Sequence, residues 1–207
     1  MHLNRLLQIL PLLTLPLLGN SCVSLSKQYP DIRLYTLEPR HPEPSAKATA
    51  EAGILAMREF TASPVCADAS FTLRHEGGRV EKDYYNRFVV TPADIVQDQT
   101  AAWLRDGGTF ADVRNSTTDG SAQTVLSGHL LRLEGDFATK PPAAVIAIQF
   151  ALAPARNQDG TRFFRTYEER VELQSSDPEA LVSGWNTAFA TVLGKLEKDL
   201  SAAAGTK

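Results

Sequence analysis

Three long runs in the second half of the chain alternate between apolar and polar side chains. Thr124–Phe137 sets Val125, His129, Leu131, Leu133 and Phe137 on one face, and Leu126, Leu130, Arg132, Glu134 and Asp136 on the other. After Thr139-Lys140-Pro141-Pro142, Ala144–Ala153 puts Ile146, Ile148, Phe150 and Leu152 together, with Val145, Ala147, Gln149 and Ala151 opposite. Asn157-Gln158-Asp159-Gly160 turns the chain again into Arg162–Leu173. Such alternation across successive turns predicts an antiparallel meander with one packed face.

The first half is built from shorter pieces. Ile32–Leu37 alternates and reads as the first strand. Gly53–Phe60 reads as the second, although its Ala, Met and Glu also suit a short helix starting at Glu51. Phe71–Arg74 and Arg79–Tyr85 flank Glu76-Gly77-Gly78, whose glycines suit a tight hairpin, and Thr109–Arg114 reads as another short strand. Two helices announce themselves by their caps. Thr91-Pro92, with Asp94 in capping-box position, opens a helix whose stripe is Val96, Thr100, Trp103 and Leu104 and which stops at Gly107-Gly108. Asp177-Pro178-Glu179 opens a second, with Trp185, Phe189, Val192, Leu196 and Leu200 in line, before Ser201–Lys207 frays. The expected class is α+β, a mainly antiparallel sheet with a long-stranded meander and two amphipathic helices packed on one face.

The ends change the picture. Arg5 precedes a 13-residue Leu-rich run, Leu6–Leu18, which closes in Gly19-Asn20-Ser21-Cys22. A membrane span needs about 20 apolar residues, and Pro11 and Pro16 interrupt this run, so residues 1–21 read as an export signal. Cys22 after the apolar core resembles the lipobox of bacterial lipoproteins and is the candidate lipidation site. Gly19 stands where that motif usually carries an aliphatic residue, and Gly19 with Ser21 also satisfies ordinary signal cleavage. Residues 22–30 form a tether, 31–202 a single domain with a proline-rich linker at 39–51, and 203–207 a frayed end. Cys66 is a lone buried thiol if Cys22 is acylated; if Cys22 is free, the two can pair in an oxidising compartment. Loss of Arg5 with the signal takes the net charge from −3 to −4. A mildly acidic chain without a basic run argues against nucleic acid and against an electrostatic hold on anionic lipid.

Candidate chemistry is sparse. His2, His41, His75 and His129 have no metal-ligand spacing, and no G-x-S-x-G elbow or phosphate-binding glycine loop occurs. Ser127 and His129 share a strand face without forming a triad. Asp94 and Asp98 fit a solvated helix start, and neighbouring charges in Glu168-Glu169-Arg170 point to opposite faces. The expectation is a protein that is not an enzyme and takes neither cofactor nor metal. Tyr84, Tyr85, Phe88, Trp103 and Trp185 remain as partner-contact or core aromatics.

Several loose motifs occur together: the signal ending at Cys22, Tyr35-Thr36-Leu37, Phe60-x-x-Ser63-Pro64, the Arg79–Tyr85 strand and Thr91-Pro92. Phe110-x-x-Val113, Leu126-x-Gly128-x-Leu130 and Trp185-Asn186 follow. In these features the chain resembles the ABC-type transport auxiliary lipoproteins, periplasmic companions of MCE proteins, an ABC permease and its ATPase, as in paraquat-inducible systems. The resemblance implies a non-catalytic part of a lipid or hydrophobic-solute transport machine, held to a membrane by its N-terminal lipid and able to self-associate. Val23, in place of an inner-membrane retention aspartate, implies the outer membrane. The alternative is an outer-membrane assembly or secretion lipoprotein acting as a plug or chaperone beside a barrel or secretin.

Overall fold

The computed structural model describes residues 31–42, 53–115, 120–156, 160–161 and 163–205. The predicted signal, Cys22, the tether to residue 30, linker residues 43–51 and residues 206–207 lie outside them. Along the chain run β1 (Arg33–Tyr35), β2 (Ile54–Met57), β3 (Thr61–Ala62), β4 (Ser70–Arg74) and β5 (Val80–Phe88). Then come α1 (Pro92–Asp106), β6 (Asp112–Arg114), β7 (Thr124–Asp136), β8 (Ala143–Pro154), β9 (Phe163–Glu172) and α2 (Pro178–Gly205). The class is α+β, and residues 54–57 form a strand, not a helix. Helix α2 extends into the segment expected to fray.

One strand organises the sheet. β8 pairs antiparallel with β7 over the strand's whole length, and β9 pairs antiparallel with β8. On the other side of β7, β2, β3 and β4 attach in succession, at Thr124–Leu126, His129–Leu130 and Gly135–Asp136, and all three run parallel to it. β6 lies parallel to β2, β1 parallel to β5, and β5 antiparallel to β4. The sheet is therefore mixed, not mainly antiparallel. β2, β3 and β4 are one extended path beside β7, interrupted twice, so they share its direction. Pieces of two to five residues are too short for alternation to reveal which way they pair.

A β-bulge in β7 corrects a second expectation. The register with β8 slips between Leu130 and Arg132, leaving Leu131 as the extra residue. Side-chain parity inverts there, so Leu126, Leu130 and Leu133 share the buried core, whereas strict alternation had set Leu133 against the other two. The Phe60-x-x-Ser63 motif braces this place. Ser63 Oγ donates to the Leu131 carbonyl at 2.9 Å, and the Ser63 N–H donates to Leu130 O at 2.9 Å. The Phe60 ring lies over Gly128 so closely that a Cβ at 128 would sit 2.4 Å from it.

Both helices begin as their caps require. Thr91 Oγ1 accepts from the Asp94 N–H, the N-cap bond of α1, and donates to Asp94 Oδ2 at 2.5 Å, so the acid answers the Thr91 hydroxyl and not its backbone N–H. Asp177 Oδ1 accepts from the Ala180 N–H at 2.7 Å at the head of α2. Val96, Thr100, Trp103 and Leu104 of α1 are buried, as are Trp185, Phe189, Val192, Leu196 and Leu200 of α2. They meet Phe71, Leu126, Leu130, Ile146, Ile148 and Phe150 of the sheet in one core. Each large side chain so buried contributes about 2–3 kcal/mol before its entropy cost.

Candidate functional site

The five aromatics singled out in the sequence divide cleanly. Trp185 is fully buried, its ring edge-on to Phe71 at 4.9 Å, and its indole N–H donates to Glu134 O at 3.1 Å. Phe88 packs against Phe71 and Trp185. Trp103 is buried between the helices. These three are core. Tyr84 and Tyr85 stack edge-on at 5.3 Å on β5 and stand at the surface.

The outer side of α2 carries the first candidate surface. A groove of about 770 Å³ runs between this helix and the segment 38–42, walled by Glu38, Arg40 and Pro42 and floored by Val182, Asn186, Ala190 and Gly194. The segment from β1 to residue 41 is stitched along α2 from its N-terminal end toward its C-terminal end. Arg33 pairs with Glu179 at 3.2 Å, and the Tyr35 hydroxyl donates to the same carboxylate at 2.9 Å. The Glu38 N–H donates to Asn186 Oδ1 at 2.7 Å. His41 Nε2 and the Trp103 indole N–H each lie 3.0 Å from Glu197 Oε2. Burial and the Glu179 bond both push the Tyr35 phenol up, so it remains a donor there. The first part of the expected linker is thus fastened to the domain, which gives the groove a fixed wall.

A charge ladder crosses β4, β7, β8 and β9. Glu134 is 2% exposed, and both its oxygens accept from Arg74, at 2.8 Å each, while Arg132 donates to Oε1 at 2.6 Å. Arg132 reaches on to Glu168 at 2.6 Å, and Arg170 pairs with Asp136 at 2.5 Å. Burial alone would raise the Glu134 carboxyl, but the hydrogen bonds from Arg74 and Arg132 outweigh it and hold the group below the usual carboxylate range. A carboxylate kept ionised by two guanidinium groups suits cross-strand bracing. It is poorly placed to move a proton.

No protein-family profile and no characterised protein matches the sequence. Solved structures share the fold. A Xanthomonas campestris protein of the family DUF330 superposes with a TM-score of 0.66 at 19% identity, over 83% of this chain and 95% of its own. An uncharacterised protein gives 0.64 at 12% identity, over 82% and 99%. A hypothetical protein from Chlamydia trachomatis gives 0.53 at 8% identity, over 72% and 98%. At these identities the likeness is one of fold. Among the described residues no helix is long and apolar enough to cross a membrane, and no group of His, Cys, Asp and Glu is arranged to hold a metal ion.

Sequence reasoning missed the stitching. His41 read as a residue of the proline linker, and nothing in the pattern singled out Glu197, yet they meet across 156 positions. A signal was present. Glu179, Asn186 and Glu197 are spaced by seven and eleven, close to two and three helical turns, which places them on one flank of α2 beside its apolar stripe. Cys66, free and buried, sits at the bulge with Sγ 3.5 Å from Leu130 O.

Proposed function

We propose that this chain is a non-catalytic, lipid-anchored auxiliary protein of an envelope transport system that moves lipid or another hydrophobic solute. Its partners are an MCE-domain protein, an ABC permease and the ATPase that drives it, and its address is the periplasmic side of the outer membrane. The observation that carries this reading is the apolar run ending at Cys22 ahead of a domain whose interior is filled. Phe71, Phe150, Trp185 and Phe189 occupy the space between sheet and α2 where a carrier would hold its cargo. The protein acts through its surface. The α2 groove, with its small side chains and its fixed wall at Glu38–Pro42, suits an extended or helical segment of a partner.

The test is affinity purification of the full-length protein from its native envelope after light crosslinking, with mass spectrometry of the eluate. Co-elution of an MCE-domain protein with a permease and ATPase is expected. A barrel or secretin in their place would replace the transport reading with an assembly role. Bound lipid alone would favour a self-contained carrier.

A further inference from the structure

Exposed apolar side chains are concentrated at one place on this surface. Of the nine large hydrophobic or tyrosine side chains exposed among the described residues, six lie on or beside β1 and the second half of β5: Ile32, Leu34, Tyr84, Tyr85, Val89 and Val90. Leu34 and Tyr84 are 62% and 64% exposed. Scattered apolar residues need no explanation, but a contiguous group does. The pairing brings them to one edge of the sheet, where β1 lies beside the second half of β5. Leu34 stands in register with Arg87, the Val89 N–H donates to Tyr35 O at 2.9 Å, and Tyr84 touches Tyr85. β1 is an edge strand whose Arg33 and Tyr35 turn toward Glu179 of α2, which leaves Ile32 and Leu34 on the opposite face.

The chain leading to this rim indicates what covers it. β1 is the first described element, and Cys22 lies nine residues before Asp31. Fully extended, that stretch reaches about 30 Å, less than the roughly 40 Å across a domain of this size. A lipid on Cys22 therefore keeps the β1 edge, more than any other part of the domain, facing the bilayer. We infer that the rim of Ile32, Leu34, Tyr84, Tyr85, Val89 and Val90 docks on the lipid surface as a second membrane contact. Its aliphatic side chains enter the headgroup boundary while the two phenols remain at the water interface, where tyrosine is favoured. The contact orients the domain and leaves the far edge, β9, and the α2 groove to protein partners. This inference rests on the lipid-anchor reading of Cys22.

The experiment uses the full-length protein, processed in cells and reconstituted into vesicles of phosphatidylethanolamine and phosphatidylglycerol containing acyl-brominated lipid. Leu34→Cys, Tyr84→Cys and, on the opposite edge, Thr166→Cys each carry an environment-sensitive fluorophore; the buried Cys66 stays unlabelled. Mass spectrometry of the N-terminal peptide first establishes whether Cys22 bears acyl chains, and each variant must keep the parent's thermal midpoint. The expected result is brominated-lipid quenching severalfold stronger at 34 and 84 than at 166. Equal quenching at all three positions on an acylated protein overturns the inference while the anchor stands. Shielding at 34 that follows protein concentration and not lipid overturns it in favour of a second copy. An unmodified Cys22 removes the anchor reading, and the inference with it.

Discussion

Glu134 shows how much one side chain holds here. Its carboxylate is buried, yet Arg74 from β4 and Arg132 from β7 reach it, and its backbone oxygen receives the Trp185 indole. Glu134→Gln removes the charge and leaves two guanidinium groups facing each other. Breaking a buried pair commonly costs about 3–5 kcal/mol, but both arginines are about one-third exposed and can turn to water, so a loss of about 2–3 kcal/mol is expected. Urea unfolding measures it; an unchanged midpoint would show that the ladder is not bracing the sheet. The same group sets an acid limit. Glu134 and Asp136 are pushed up by burial but pulled further down by arginine hydrogen bonds, and Asp199 is lowered by the Tyr167 hydroxyl. Their folded pKa values lie below the unfolded ones. The stability they contribute is present in full above the ordinary carboxylate range, about pH 4, and is lost as pH falls through the depressed values. Thermal midpoints should be level from about pH 7 to 5 and fall below about pH 4. In Glu134→Gln that acid-side fall should be shallower.

At the scale of elements, α2 depends on small residues where it meets the sheet. A Cβ at Gly184 would stand 2.7 Å from Ala144 Cβ and 2.8 Å from Leu173 Cδ2. Gly184→Ala gains about 1 kcal/mol of helix propensity but forces α2 away from β8, an overpacking cost of about 1–3 kcal/mol. Net destabilisation of about 1 kcal/mol is expected by chemical denaturation, and net stabilisation would mean that α2 slides freely. Elements with local signals were legible in the sequence. Thr91-Pro92 and Asp177-Pro178 place both helix starts because a cap needs only its nearest residues, and β8 alternates without interruption. The antiparallel pairings of β4 with β5 and of β7, β8 and β9 were legible from their turns. The directions of β2, β3 and β4 beside β7 were not, because that parallel pairing depends on where β7 lies, 60 or more residues away. The bulge at Leu131 was hidden too, since a perfect alternation runs straight through it and only the Ser63 hydroxyl marks the slip. Of the candidate site, Tyr84 and Tyr85 were visible as residue types, but they lie where the β4–β5 register slips between Asp83 and Arg87, which no pattern announces.

For the whole molecule, attachment and fold are separable. Cys22→Ser removes the proposed acyl acceptor without touching a described residue. The variant is expected to leave the membrane fraction almost entirely while keeping the parent's circular dichroism spectrum and thermal midpoint, because acyl chains supply about 0.8 kcal/mol per buried methylene and the rim is small by comparison. Retention of the variant in washed membranes at the parent's level would remove Cys22 as the anchor.

The stitches between the segment 33–41 and α2 have a mechanical consequence. Glu179 and Glu197 are eighteen residues apart, about 27 Å along the helix, and Arg33, Tyr35, Glu38 and His41 fasten to that length in order. Tension arriving at residue 31 meets these fastenings one at a time, so the seam and the three-residue β1–β5 pairing peel from the residue-31 end before the longer strands are loaded. The domain then behaves as a spring-mounted body whose slack is paid out in small steps. Single-molecule pulling between residue 22 and the C-terminus should record a low-force release of this segment ahead of the main rupture. One abrupt rupture without it would mean that seam and sheet yield together.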